Sequence, residues 1–520
     1  VAKSERLAQD GWTMRIGHRL TALTLATLAL APAGCGEDGT PSQPGVSTGR
    51  GPVDDPGALD GGADGERDGG RPSPRPPDGP RLPPADEVIE LPYGGDTRIY
   101  RIEVEADLAA LDVHLSIDTS ASIGAEIDAL QADLEDAVIP QLRERVNDVS
   151  FGVSRFEDFP GAPFGAAATV AQDRADTPFT LLTPVTSDVE RIASAVAQLD
   201  QPLGFGGDAP ESGYEALWQV ATGQGYRVGR RELVPPFQGP AAPGGGVLGG
   251  VGFRERSLHV VLHVTDAPSH EPEDYGDAFT DTHGADETAE ALTDVDARLV
   301  GIVTGRCPED EPADFEAPCT EADLADSNYS RARTQLEALA VATSSVAEAE
   351  DGSCPLGVGG TPIDDDGDGW CPLVFDAADD GTGLSGTLVD AIVTLVDGIR
   401  FERVVGSAPQ DPLGFVQRLA PAEVEQADGV AAPVVVDRLP EDTPDGLPDA
   451  FEQVRARARL GFDVHLRNTN IAPARSEQRF RVVVAVLGDE LTLAERTLRI
   501  AVPPAASWQP DDDAGVAVGD

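Results

Sequence analysis

Between about residue 109 and residue 400 the chain repeats one pattern: a short apolar, β-branched run, then a longer stretch with helical period. The runs "LDVHLSID" (111–118), "DVSFGVSRF" (148–156), "SLHVVLHVTD" (257–266) and "ARLVGIVTG" (297–305) are short, β-rich and largely apolar, several of them on both faces. A strand of that kind is buried on both faces, which is the condition of a parallel sheet covered by helices. Helical periodicity fills 122–146, 187–199, 211–223, 285–296, 320–350 and 384–399. The expected fold is therefore α/β, a doubly wound and mainly parallel sheet, and in such sheets ligands sit at the carboxyl ends of the strands. "TRIYRIEVEA" (97–106) alternates like one further strand, and the α/β domain is expected over 86–400.

Two Gly/Pro-rich stretches, about 225–256 and 351–383, interrupt the pattern as expected surface insertions. After about residue 401 the helical period stops, and "GFDVHLRNTNI", "QRFRVVVAVLGDE" and "ERTLRIAVP" have the character of strands in a small all-β sandwich over 401–505. The Asp/Pro segment 439–453 is expected to be a loop, and 506–520 an acidic tail.

The N-terminal part has a different logic. From Met14, "MRIGHRLTALTLATLALAPAGC" carries Arg15 and Arg19, an apolar segment over Leu20–Ala31 and small residues before Cys35. This is the pattern of an export signal over 14–34, too short to span a bilayer, with 1–13 upstream of the start. Its ending resembles the lipobox of bacterial lipoproteins, which implies lipidation of Cys35; an ordinary cleaved signal is the alternative. Pro32 stands where that family usually has an aliphatic residue. Residues 36–85 hold almost no side chains able to form a core, so they are expected to be a disordered tether with a span of roughly 40 Å.

Charge then excludes whole classes of function. Lys and Arg number 38 against 91 Asp and Glu, a net charge of −53. Nucleic acid and anionic lipid need a basic face, so neither is an expected partner, and a lipid anchor is the only expected link to a membrane. The one lysine is Lys3, which removes a phosphate-binding loop with its lysine, Schiff-base chemistry and a Ser/Lys hydrolase. Beyond Cys35 the cysteines are Cys307, Cys319, Cys354 and Cys371. In an exported chain they make two disulfides, with Cys307–Cys319 and Cys354–Cys371 the first of three connectivities; a zinc site, the rival, has no C-x-x-C spacing or nearby histidine to support it.

The run "LSIDTSASIG" (115–124) drives an apolar strand into Asp118 and follows it with Ser120 and Ser122. Hard oxygen donors at alternate positions on a turn can converge on a small divalent cation, although a helix N-cap uses the same residue types. Two further loops place acids at strand ends or helix starts: "GGDAPESGYEAL" with Asp208 and Glu211, and "HVVLHVTDAPSH" with Asp266. With these three motifs in this order, residues 109–400 resemble a von Willebrand factor A domain of the integrin β-subunit branch, with its metal-ion-dependent adhesion site. The resemblance implies that Asp118, Ser120, Ser122 and Glu211 contact Mg²⁺, with Asp266 acting directly or through water. It also implies a neighbouring Ca²⁺ site drawing on Asp208, with Asp158 of "RFEDFP" as partner. A second flanking site of that branch finds only Glu126 well placed in "IGAEID". A Mg²⁺ held by few carboxylates and two hydroxyls keeps water that a partner's acidic group can displace.

Weaker signals complete the reading. "PIDDDGDGWC" places Asp364, Asp366 and Asp368 at two-residue steps like the first half of a calcium loop, with Phe375 where a bidentate Glu would stand. His259 and His263 lie four apart on a strand and are expected to be packed rather than metal ligands. No hydrolase motif is present, so the expected role is non-enzymatic: a surface protein binding an acidic protein or glycan through a metal. A calcium-stabilised structural envelope protein and, less favoured, a metal-assisted hydrolase are the alternatives.

Overall fold

The computed structural model describes residues 88–505 apart from 169–173, 240–243, 305–326, 350–351, 365–366, 379, 426–433 and 437–447. The expected leader, Cys35, the tether and the acidic tail lie outside the described residues, as do Cys307, Cys319 and Asp366.

Six strands form the central sheet: β1 (Ala110–Asp118), β2 (Asp148–Phe156), β3 (Thr180–Thr186), β4 (Leu258–Thr265), β5 (Ala297–Val303) and β6 (Val374–Asp376). Their spatial order is β3-β2-β1-β4-β5-β6, parallel throughout except for the antiparallel edge strand β3. The chain winds outward from β1 in one direction, then returns to β4 and winds in the other. That doubly wound order leaves a crevice at the carboxyl ends of β1 and β4, where the connections diverge to opposite faces.

The central strands are buried on both faces, the polar positions Asp112, His114, Ser116 and Asp118 of β1 included. All eight residues of β4 are buried, and so are eight of the nine in β1. On one face the sheet is covered by helices Gly124–Asp133, Ile139–Arg145, Val189–Val196 and Leu384–Gly398, through residues such as Ile127, Leu142, Ile192 and Leu388. Gly213–Thr222, Ala285–Asp294 and Asn328–Ala342 cover the other, through Leu217, Leu292 and Leu336. The first two helices are joined by a π-helical turn, Leu134–Val138, just before Pro140. Proline has no N–H to donate into the preceding turn, which accounts for the break in an otherwise continuous helical pattern. No helix among the described residues is long and apolar enough to cross a membrane.

The second body is a β-sandwich, and its boundaries correct the sequence reading. One sheet runs Val88–Glu90, Leu491–Val502, Gln478–Gly488, Arg400–Gln410, Pro448–Arg455 and Val434–Val436; the other runs Val416–Glu425, Arg459–Leu466 and Arg98–Glu105. Phe451 and Phe462 meet edge-on between the sheets at 5.4 Å. Residues 88–105 therefore belong to the sandwich and not to the α/β domain. The α/β domain is inserted between two sandwich strands, entered after Glu105 and left at Arg400. Residues 448–453 likewise form strand where a loop was expected, and β6 lies inside the stretch expected to be a surface insertion.

Cys354 and Cys371 form a disulfide, the second of the expected pairs. It ties the hairpin Ser353–Gly357/Thr361–Asp364 to the strand Trp370–Pro372 just ahead of β6. A cross-link over 17 residues removes loop-closure entropy from the unfolded chain worth about 3 kcal/mol. Replacing both cysteines by alanine is expected to lower unfolding stability by about 2–4 kcal/mol, measured by denaturant titration of oxidised parent against variant.

Candidate metal-binding site

Asp118 ends β1 at the crevice and is fully buried. The Ser120 backbone N–H donates to its Oδ1 at 2.8 Å, and the Thr265 hydroxyl, across the β1–β4 seam, donates to Oδ2 at 2.7 Å. Both carboxylate oxygens are thus oriented before any ligand arrives. Ser120 Oγ and Ser122 Oγ lie 3.1 Å apart on the turn into the first helix, so the two hydroxyls face one small volume. Neither Ser120 nor Asp118 caps that helix with a side-chain hydrogen bond, which removes the N-cap explanation of the motif.

Glu211 stands just before helix Gly213–Thr222 and is only 4% exposed. Its backbone is stitched to the loop after β4: the Glu211 N–H donates to Pro268 O and the His270 N–H donates to Glu211 O, each at 2.9 Å. The carboxylate Oε2 is buried with no hydrogen-bond partner among the described residues. Burial pushes Glu211 up to about 11, with Asp118, Asp158, Glu157 and Asp176 adding to the rise. Burial likewise pushes Asp118 up to about 7, and the neighbouring Asp266 carboxylate adds to it. Carboxylates crowded together out of water are electrostatically costly to ionise, and a divalent ion is a group that relieves the cost. The donor set of carboxylates and hydroxyls is all oxygen, which suits Mg²⁺.

The second expected cluster is drawn together more tightly. Asp158, Asp208 and His270 are the one group of three acidic or histidine side chains, among the described residues, whose ligand atoms all lie within 4.8 Å of one another. Asp118, Glu211 and Asp266 do not converge that closely. The histidine is an addition to the expected pair Asp158 and Asp208. It sits four residues past Asp266 in the loop "TDAPSH", so its presence near the site could have been noted, but its approach to Asp158 is a product of the fold.

A buried network beneath the site also went unread. Glu157 is fully buried and held by both guanidinium nitrogens of Arg174 at 2.9 Å, by the Thr177 N–H at 3.0 Å and by Thr119. Asp176 accepts from the backbone N–H groups of Ala166 at 2.7 Å and of Phe205 and Gly206 at 3.1 Å. Together with the bond from the Gly204 N–H to Thr119 O at 2.7 Å, these contacts fix the loop that carries Asp208 and Glu211. Gly207 packs so closely on the preceding loop that a Cβ there would lie 2.0 Å from Pro163 O and 2.1 Å from Phe164 O. Backbone atoms cannot give way by that much, so Gly207→Ala is expected to displace the loop, to cost about 1–3 kcal/mol and to weaken Mg²⁺ binding at least tenfold by calorimetry.

The remaining candidates fall apart from this centre. His263 stacks on Phe156 at 4.8 Å and lies 3.2 Å from Ser116 Oγ, while His259 meets the carbonyls of Val295 and Arg254 at 2.7 and 2.8 Å. Both are packed, as expected. Asp368 accepts from the Trp370 N–H at 2.8 Å. Asp366 and the Asp364 side chain are outside the described residues, so the calcium-loop reading rests on sequence alone.

No protein-family model matches the sequence, and no curated relative matches it. Solved structures do. A von Willebrand factor type A protein from Catenulispora acidiphila is 12% identical with a TM-score of 0.28, over 79% of this chain and 71% of that one. The pilus adhesin SpaC from Lactobacillus rhamnosus GG, in an open conformation, is 9% identical with a TM-score of 0.31, over 80% of this chain and 46% of the adhesin. A second form of that adhesin is 10% identical at 0.27, over 80% and 47%. The chain thus spans about half the adhesin's length. The α/β domain is a doubly wound, mainly parallel sheet covered by helices, with the serine motif at its switch point.

Proposed function

We propose that the von Willebrand factor A-like domain is a non-enzymatic binding module that takes a carboxylate of an acidic protein or glycan through a Mg²⁺ ion, on an exported, lipid-anchored chain. The observation that carries this reading is the buried Glu211 carboxylate, with its unpartnered oxygen beside Asp118 at the switch point of the sheet. Asp118, Ser120, Ser122 and Glu211 would hold the ion, and Asp266 would act on it directly or through water. The ion supplies a coordination position for an anionic oxygen.

The chain's own residues supply the rest. Ser120 N–H and Thr265 set the Asp118 carboxylate, and the loop stitched at Glu211 to Pro268 and His270 sets the second acid. A cation at this point also explains how a protein of net charge −53 could attract an acidic partner: the local field opposes the global one. The disulfide fits an oxidising compartment outside the cytoplasm.

The test uses the full chain on immobilised polyglutamate, with polyglutamine as control. Retention is expected with Mg²⁺, and is expected to vanish with EDTA and in Asp118→Ala. Retention that survives both treatments, or no retention by a protein that binds Mg²⁺ through Asp118, would leave a metal site that is closed to ligand and structural only.

A further inference from the structure

We propose that Asp158, Asp208 and His270 form a second cation site for an imidazole-binding divalent metal of the Zn²⁺ class, and not for Ca²⁺. The inference goes beyond the carboxylate-binding reading and does not depend on it. Ca²⁺ takes oxygen ligands almost exclusively, whereas imidazole with carboxylates is a donor set for Zn²⁺ and its neighbours. The resemblance that implies calcium here rests on Asp158 and Asp208 alone; the histidine between them changes the chemistry.

The three donors are arranged for coordination. His270 Nε2 lies 3.1 Å from Asp158 Oδ2 and 3.4 Å from Asp208 Oδ1. Four-coordinate Zn²⁺ with bonds of about 2.0–2.1 Å sets its ligand atoms roughly 3.3 Å apart, so both separations match a tetrahedral edge. Two of the three side chains are withdrawn from water: Asp158 is 0% and His270 4% exposed, while Asp208, at 32%, leaves an entry path. Asp158 Oδ2 is buried without a well-formed hydrogen bond, and it is the oxygen that faces the cluster.

The surrounding contacts orient the donors as metal sites require. The other oxygen of Asp158, Oδ1, accepts from the Phe159 N–H at 2.6 Å and from the Tyr275 hydroxyl at 2.8 Å, which turns Oδ2 toward His270. His270 Nδ1 lies 3.5 Å from Asp274 Oδ2, so a third carboxylate stands behind the imidazole, though without a hydrogen bond to it. The ring is wedged against Phe164 and Tyr275, at centroid distances of 5.4 and 4.8 Å. Three protein ligands with one position open to water is the pattern of an exchangeable rather than a purely structural zinc site. Because the His270 N–H also holds Glu211 O, an ion here would brace the loop that presents the first site.

The test is calorimetric titration of the chelator-stripped full chain with Zn²⁺, and separately with Ca²⁺, in buffer holding excess Mg²⁺. One Zn²⁺ event is expected that weakens about 100-fold or more in both His270→Gln and Asp208→Asn, and that persists in Asp118→Ala. Asp208→Asn changes a partly exposed side chain without altering its shape, so it keeps the test valid should His270→Gln fold poorly. Co²⁺ bound in place of Zn²⁺ is expected to give the intense visible absorption of a four-coordinate site, lost in the same variants. Equal Zn²⁺ binding by parent and both variants would overturn the proposal, leaving His270 as an imidazolium braced between two carboxylates. Displacement of the Zn²⁺ by an equal concentration of Ca²⁺ would overturn it too. Loss of Mg²⁺-dependent polyglutamate retention with the Zn²⁺ event intact would sink the carboxylate-binding reading alone.

Discussion

Without metal, Asp118→Asn is expected to be more stable than the parent protein at neutral pH, by roughly 2–4 kcal/mol. With saturating Mg²⁺ the advantage is expected to shrink or reverse. Asp118 is fully buried, and its folded-state pKa is raised from 3.8 to about 7 by burial and then by Asp266. The folded state therefore holds that proton more tightly than the unfolded chain does. The resulting stability is fully present below about pH 4 and is lost as pH rises toward 7, each unit of separation being about 1.4 kcal/mol. Asparagine keeps the shape and can still accept from the Ser120 N–H, but it has no proton to lose. The stability difference between variant and parent should accordingly grow from pH 4 to pH 7 and level off above. Mg²⁺ at one hundred times its dissociation constant adds about 2.7 kcal/mol to the parent, and none through this site to the variant. Thermal unfolding across pH, with Mg²⁺ and with EDTA, measures both effects; a difference independent of pH would mean that Asp118 is not the strained acid.

That a buried strand should end on an acid is legible because two local rules conflict there: the apolar run demands burial and the carboxylate resists it. The strands β4 and β5 were legible for the complementary reason, since burial on both faces writes itself into consecutive residues, while β1 and β2 alternate and were legible only by their β-rich, largely apolar content. Features that depend on distant partners were not. Arg98–Glu105 alternates like a strand wherever it pairs, and nothing in it names Arg459–Leu466 as its neighbour, so the insertion of one domain into the other stayed hidden. β3 is a half-exposed antiparallel edge with Pro184 inside it, a residue tolerated at edges that weakens the strand signal. β6 has three residues and follows a Gly/Asp-rich stretch, too short for any period to register. Glu126, the one residue offered for the second flanking site, is buried in the first helix, and no cluster forms around it among the described residues. His270 and Arg174 reach Asp158 and Glu157 from more than 100 and from 17 residues away, respectively, across loops whose lengths carry no metric information.

Arg174→Ala is expected to be the most damaging single surface-reaching change, at about 3–5 kcal/mol, and to abolish Mg²⁺ binding although Arg174 touches no proposed ligand of that ion. Its guanidinium is 19% exposed, but the carboxylate it clasps is not exposed at all. Removing the cation leaves Glu157 buried with the Thr177 N–H, the Thr119 and Thr177 hydroxyls and the charge of Arg155 nearby, and these replace the two direct guanidinium bonds only in part. Arg174 also donates to Pro202 O at 2.8 Å, the residue that opens the loop carrying Asp208 and Glu211. Glu157 O in turn accepts from the Ser212 N–H at 3.2 Å, directly after Glu211. The variant therefore loses both the charge balance under the loop and one of its fixed ends. Two further measurements separate these losses. Arg174→Ala combined with Glu157→Gln should recover most of the stability, since no charge is left stranded. It should recover less of the Mg²⁺ affinity, because the anchor at Pro202 is still missing. Full recovery of affinity in the double variant would place the whole effect in the buried charge and none in the loop.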